Sequence, residues 1–543
     1  MSRRSIAGLT AAVMTAAALT GCKDGPLGIF NQKTDEPVYK IEDYQDKATV
    51  RKNFNESLDF GKTLAAIPGA PADFQWVGEA EDAELTGVVR EMTGDFEGYS
   101  GRGYVGSFTD EKDAVTFTAE VPADGIYDLT FRTSTGYSDS HKINPVEVDG
   151  HAVGSITSPE SEEFVDAALE GIYLSAGSHR ITAGTEWGYY YIDRLTLTPG
   201  KGIDDKVYSI STPLCDQNAF DNTKRLYEFL RDCYGKYTLT GQYCDKGKFG
   251  TEMTLIHDKT GSYPAILGLD MMDYTPSRTE HGSKGRSVDY AKDFYLNAGG
   301  IVTMCWHWNA PSAYLPNTDD KPWYSGFYAD KTTIDLDKIA DGSDSAGKTA
   351  LLADIDAVCA AMEPLKEAQV PILWRPLHEA SGGWFWWGNC KPESYLWLWN
   401  QLYQKMVGEH GLHNLIWVWN GQDKAWYPGD ETVDIIGTDI YAPAHSYASQ
   451  SSTFTQMTGW SGTPKLLALS ENGVMPDPEL LRRDRAMWSW FGTWGGEFVH
   501  DKHIASEQYT DFAMWEKVYK SGDTLTLEEL PCLWTYRKEH NEK

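Results

Sequence analysis

Two kinds of hydrophobic patterning divide the chain. Between residues 73 and 199, short runs alternate apolar and polar positions with a period of two and are separated by Gly, Asp and Pro. The clearest are AVTFTAEV (residues 114–121), GIYDLTFRT (125–133), PVEVDGHAVGSI (145–156), GIYLSAGSHRITAG (171–184) and YYYIDRLTLTP (189–199). Runs of this length and spacing predict an all-β antiparallel sandwich. After a bridge at residues 200–212 the grammar changes. Apolar strand-like runs end at Gln242, Asp270, His307, Glu379, Trp419, Tyr441, Glu471 and Trp494, with helical patterns at residues 222–235, 349–368 and 392–411. Eight strand–helix units predict an α/β domain, a (β/α)8 TIM barrel over residues 213–536, whose helix between the sixth and seventh units is weakly marked. Chemistry in such barrels collects at the C-terminal ends of the strands, so those eight ends are expected to share one pocket.

The N-terminus has its own pattern. Arg3 and Arg4 precede an uncharged run over residues 6–20, shorter than the roughly 20 residues that span a bilayer. It predicts a secretory signal over residues 1–21, and its end, Leu-Thr-Gly-Cys, resembles a bacterial lipobox with Cys22 as the lipidated residue. Residues 22–72 are polar and read as a tether. The expectation is a secreted chain, anchored by acyl chains to a bacterial membrane on the surface of the outer membrane, and not spanning it.

Charge narrows the partners. Lys and Arg number 48 against 79 Asp and Glu, a net charge of −31, and such a field repels nucleic-acid backbones. Aromatic residues reach 13%, with 20 Trp and 30 Tyr, more than core packing asks for, which points to stacking on carbohydrate. Beyond Cys22 the cysteines at 215, 233, 244, 305, 359, 390 and 532 form neither a disulfide framework nor a zinc spacing, although a pair among the first three stays open.

Two segments carry candidate chemistry. In PILWRPLHEASGGWFWWGN (residues 371–389) an apolar strand breaks into Arg375, His378 and Glu379, then into aromatics among glycines. In PKLLALSENGV (464–474) five apolar residues among six lead to Ser470 and Glu471. Charge placed where a buried strand ends needs a partner or a substrate. Two carboxylates across a barrel mouth suit glycoside hydrolysis, one donating a proton and the other attacking or activating water. Candidate sugar-stacking positions are Trp306 and Trp308 beside His307, Trp323 and Tyr324, Trp384, Trp419, Tyr441 and Trp494, whereas Trp397, Trp399 and Trp488 are expected to pack helices.

WRPLHE with GGWFWWG, together with WHWNAP, DIYAP and LSENG, resembles glycoside hydrolase family 26, whose commonest activity is endo-β-1,4-mannanase. The resemblance implies a retaining double displacement without a catalytic cofactor, with Glu379 as acid/base on the fourth strand and Glu471 as nucleophile on the seventh. It implies that His378 and Tyr441 hydrogen-bond around the carboxylates, that His307 and Arg375 line the −1 subsite, that Trp384 forms a sugar-contacting wall, and that Trp323 is a more distal platform. The implied partner is β-mannan, glucomannan or galactomannan. The alternatives are β-1,3-1,4-glucanase, β-1,3-xylanase or exo-acting mannobiohydrolase action, or a non-catalytic glycan-capture lipoprotein. The sandwich, through GEAEDAELTG, GYSGRGYVG and EWGYYYIDRLTL, resembles a family 35 carbohydrate-binding module. Glu79 and Glu81, two apart on a predicted strand, would then join Asp193 around a structural Ca2+, and Trp187 would stack on sugar. The hydrolase reading requires Glu379 and Glu471 to come within about 5–5.5 Å of each other.

Overall fold

The computed structural model describes residues 58–138, 141–185, 190–244 and 250–537. The signal segment, Cys22 and Trp187 lie outside the described residues.

Residues 76–199 form two antiparallel sheets. One runs Arg90–Met92, Tyr104–Gly106, Tyr191–Pro199, Gly125–Ser134, Val165–Leu174, with Trp76–Glu79 also paired to Tyr191–Pro199. The other runs Glu84–Thr86, Ala114–Val121, Gly177–Ala183, Lys142–Val148, His151–Ser158. Their facing residues include Val115, Phe117, Leu129, Phe131, Ile181 and Leu195, all buried. The period-two pattern sets this arrangement, because successive side chains point to opposite faces and only one face is dry.

The second domain is a closed barrel of eight parallel strands. They are β1 (Gly241–Tyr243), β2 (Ile266–Asp270), β3 (Ile301–Trp306), β4 (Ile372–Pro376), β5 (Leu415–Trp419), β6 (Ile435–Ile440), β7 (Leu466–Asn472) and β8 (Phe491–Thr493). Both faces of each strand are covered, so runs such as LIWVW in β5 are continuously apolar, unlike the alternating strands of the sandwich. The weakly marked helix after β6 is Ser451–Met457, seven residues long; it buries Phe454 and Met457 and is too short to display a helical period.

Within the segment expected to be a tether, residues 58–65 are strapped to the barrel. Asp59 N donates to Tyr237 Oη at 3.0 Å, Lys62 Nζ pairs with Asp523 at 3.1 Å, and Arg485 Nη1 donates to the Ala65 carbonyl at 2.9 Å. Polar groups of the strap meet a hydroxyl, a carboxylate and a guanidinium of the barrel, while Leu58, Phe60 and Leu64 pack against its core. The sandwich rests on the segments after β6 and β7: Ser451 Oγ donates to Gly171 O at 3.2 Å, and the Arg483 guanidinium lies 4.5 Å above the Tyr173 ring. No disulfide joins any of the seven described cysteines, so no pair forms among Cys215, Cys233 and Cys244. Among the described residues no helix is long and apolar enough to cross a membrane.

Candidate active site

Glu379 lies just beyond β4, where the chain makes a sharp turn. Leu377 and Glu379 both adopt left-handed conformations, φ 51° and 54°, which cost non-glycine residues about 1–3 kcal/mol each. The Glu379 N–H donates to the Asn420 carbonyl at the end of β5, 2.7 Å away, and anchors the turn. The loop that follows folds back tightly: a Cβ on Gly388 would sit 2.0 Å from the Ala380 carbonyl oxygen. That return brings Trp384 Nε1 to 2.9 Å from Glu379 Oε2, while Oε1 is buried with no hydrogen-bond partner in the structure.

Glu471 projects from β7, opposite a register shift between β6 and β7. Arg375, fully buried on β4, donates through Nη2 to Glu471 Oε2 at 2.5 Å and through Nη1 to Asp439 Oδ2 at 2.6 Å. Tyr441 Oη donates to the other Glu471 oxygen. Asn420 Nδ2 and Ser470 Oγ complete Asp439 at 2.6 and 2.9 Å. One oxygen each from Glu379, Asp439 and Glu471 lie within 4.8 Å of one another. One guanidinium thus pairs with two of three clustered carboxylates, and their environments set them apart. Burial pushes Glu379 well above the usual carboxylate range, reinforced by Asp439 and Glu471. Burial and Asp439 push Glu471 up to about 7, against the pull of Arg375 and the Tyr441 hydroxyl. Glu379 therefore keeps a proton longer, and Glu471, with two strong donors, is the better held anion.

Across the mouth, His307 Nδ1 lies 2.8 Å from Asp270 Oδ2 and His307 Nε2 lies 3.3 Å from His378 Nε2. Burial, Arg375 and His307 drive the His378 pKa well below the usual imidazole value, so its ring is neutral. Half-buried Trp494 sits 5.9 Å from His307 and 4.9 Å from Tyr243.

Several expected stacking residues are buried or already stacked on a neighbour. Trp419 is fully buried, edge-on to Tyr427 at 5.0 Å and Trp460 at 5.7 Å. It shares a strand face with Trp417, which packs on Trp399 in the helical layer, so period two sends it outward and turns Asn420 inward. Trp306 and Trp308 stack on each other at 4.1 Å, also buried, with Trp308 Nε1 donating to Asp354 at 2.9 Å. Trp323 is half-buried on the loop after β3, one face stacked on His281 at 4.3 Å; its other ring neighbours are Arg278 and Tyr324. Asp439, Asn420 and Tyr243 were missed as site residues. Asp439 precedes Tyr441 by two, and Asn420 follows Trp419, so an inward-facing parity count along β5 and β6 would have found both.

In the sandwich, Glu79 closes a strand, but Glu81 falls in the 3-10 turn Ala80–Asp82 and not on that strand. Both still reach the loop that Asp193 holds. Ser100 Oγ donates to Glu79 Oε2 at 2.7 Å, Ser100 N to Asp193 Oδ1 at 2.7 Å, and Arg102 N to Glu81 Oε1 at 2.7 Å. Glu81 Oε2 is buried without a hydrogen-bond partner.

A parallel eight-stranded barrel whose mouth brings together two glutamates of unlike environment, flanked by indoles and imidazoles, defines a glycoside hydrolase. The profile described as Glycosyl hydrolase family 26 matches residues 215–522, and the chain belongs to that family. Carbohydrate binding module (family 35) matches residues 76–200. The mannan endo-1,4-beta-mannosidase of Thermothelomyces thermophilus is 39% identical over 470 residues, which cover 87% of this chain and 93% of that protein. The solved GH26-CBM35 beta-(1,4)-mannanase of Podospora anserina is 37% identical with a TM-score of 0.58, covering 85% of this chain and all of the other. A beta-mannanase from a symbiotic protist of the termite Reticulitermes speratus, solved with a gluco-manno-oligosaccharide, is 31% identical with a TM-score of 0.51 over 59% of this chain and 98% of its own.

Proposed function

We propose that the protein is a retaining endo-β-1,4-mannanase acting on β-mannan, glucomannan or galactomannan. The observation that carries this is the approach of Glu379 and Glu471 oxygens within 4.8 Å, close to the roughly 5–5.5 Å separation of retaining enzymes and well short of the 6.5–9.5 Å of inverting ones. Protonated Glu379 donates to the glycosidic oxygen as Glu471 attacks the anomeric carbon, so the C–O bond to the leaving sugar breaks and a glycosyl ester forms. Glu379, now a carboxylate, takes a proton from water, whose oxygen attacks the same carbon and releases Glu471. Arg375 and Tyr441 aim Glu471, and Trp384 holds Glu379 while offering its ring as a wall to the sugar. His307, His378 and Trp494 line the −1 subsite, and Trp323 serves as a more distal platform. The names of the mannan-cleaving relatives support the substrate class.

The sandwich would capture polysaccharide through Trp187. It would hold a structural Ca2+ between Glu79, Glu81 and Asp193, where the orphaned buried oxygen of Glu81 fits an oxygen-seeking cation. Lipid on Cys22 would tether the enzyme to a bacterial outer membrane at the cell surface. The test is to follow early products by thin-layer chromatography on mannan, glucomannan and lichenan, with proton NMR of the first anomer released. A ladder of β-anomeric manno-oligosaccharides is expected. Inversion at the anomeric carbon, mannobiose alone, or cleavage of lichenan in place of mannan would each overturn part of the reading.

A further inference from the structure

The two-carboxylate chemistry leaves one polar chain of the mouth unexplained, that from Asp270 through His307 to His378. We propose that Asp270, at the end of β2, is a positioning residue that sets the tautomers of both imidazoles, so that His378 offers a sugar hydroxyl a ring lone pair instead of an N–H. The proposal rests on the reading of this mouth as a mannan-cleaving site.

Asp270 Oδ1 accepts the backbone N–H of Met272 at 2.8 Å and of His307 at 3.1 Å, and Oδ2 lies 2.8 Å from His307 Nδ1. With two donors on its first oxygen the side chain is an acceptor, and His307 Nδ1 carries the hydrogen. Cys305 Sγ, 3.9 Å from the same nitrogen, is a poor rival and is placed to donate to Leu269 O at 3.6 Å. His307 Nε2 is then a lone pair, since the partner of one ring nitrogen decides the state of the other. His378 Nε2, 3.3 Å away, can approach it only by donating. A neutral ring has one N–H, so His378 Nδ1 is left as a lone pair. That atom is buried and has no hydrogen-bond partner in the structure, which is costly unless a ligand supplies a donor. A pyranose hydroxyl is such a donor.

Asp270→Asn tests the chain, because its amide can turn NH2 toward His307 Nδ1 and reverse every donor down the line. In the full-length protein, kcat/KM on β-mannan should fall about 10–100-fold, the usual scale for a residue acting behind a contact residue. The same change in a His307→Ala background should add less than about 2-fold, since coupled residues are non-additive. Long-range 1H–15N spectra of histidine-labelled enzyme should show His378 Nδ1 unprotonated in the wild type and protonated in D270N. A wild-type His378 protonated at Nδ1, or an undiminished effect of D270N without His307, would overturn the proposal. A wild type inactive on mannan would sink the function proposed above, and the histidine resonances of the wild type would still decide the tautomers.

Discussion

The two domains each gather three acidic side chains, and they settle them in different ways. At the barrel mouth, Glu379, Asp439 and Glu471 stand on strand ends around one buried guanidinium, and hydroxyl, amide and indole donors are dealt unequally among them. In the sandwich, Glu79, Glu81 and Asp193 are knitted by Ser100 and by backbone N–H groups of a loop, with Arg132 Nε at 3.4 Å from Asp193. Unequal donors on a rigid frame split acid from base, which is what bond cleavage requires. Backbone donors on a loop satisfy the sandwich acids locally and leave one buried Glu81 oxygen without a hydrogen-bond partner.

The comparison breaks most directly at the barrel carboxylates. Glu379→Ala and Glu471→Ala should each lose at least about 10³-fold in kcat on unactivated mannan, with azide partly rescuing one of them. Near-wild-type rates in both would reduce the mouth cluster to a structural one. Tyr441→Phe should cost about 10–100-fold, on the scale of losing one preorganised donor. Because its hydroxyl pulls the Glu471 pKa down, the acid limb of the kcat/KM profile should also move to higher pH. An unmoved limb would show that Tyr441 does not tune Glu471.

Stability should follow the same logic. The folded-state pKa of Glu471 is pushed up to about 7, above its unfolded value of about 4.3. The folded protein therefore binds the extra proton between those values, and this group's contribution is full below pH 4 and lost as pH rises through 7. Glu471→Gln removes that loss, so its melting temperature should gain on the wild type between pH 4 and pH 8; a constant difference would contradict the shift. Trp419→Ala and Trp384→Ala separate the two kinds of tryptophan. The first should cost about 3–5 kcal/mol of stability, as for a buried indole, and the second mainly activity, read by urea melts and by kcat/KM. The smallest effect belongs to the sandwich. EDTA should lower its melting transition while hydrolysis of short soluble manno-oligosaccharides stays unchanged, and Glu81→Gln should abolish the EDTA effect. A transition indifferent to both would overturn the calcium reading of the acidic loop.

Glu379, Glu471, Arg375 and His378 were legible because a charged residue at the end of an apolar run contradicts its surroundings, and a single such contradiction is visible in one dimension. The sandwich was legible from its alternating strands. Trp419 was misplaced because a tryptophan at a strand end looks the same whichever face it takes, and parity against Trp417 decides the face. Glu81 was put on a strand because two carboxylates two apart mimic that pattern, whereas the chain turns at Ala80. The strap at residues 58–65 is held by polar contacts to Tyr237, Asp523 and Arg485, which leave no periodic trace, and by Leu58, Phe60 and Leu64 against the barrel core, a run too short to stand out.

The sequence by itself determined the two architectures, their order, and which strand ends carry charge, since burial periodicity and the cost of stranded charge are local properties that a linear chain displays. Tertiary structure alone decided how the charges meet. Arg375, Asp439 and Glu471 are far apart along the chain, and only closing the barrel brings one guanidinium between two carboxylates and leaves Glu379 with a single indole donor. The split between proton donor and nucleophile comes from that distribution of neighbours, because a carboxylate's affinity for its proton is set by the dielectric and the donors around it, and those are supplied by residues distant in sequence.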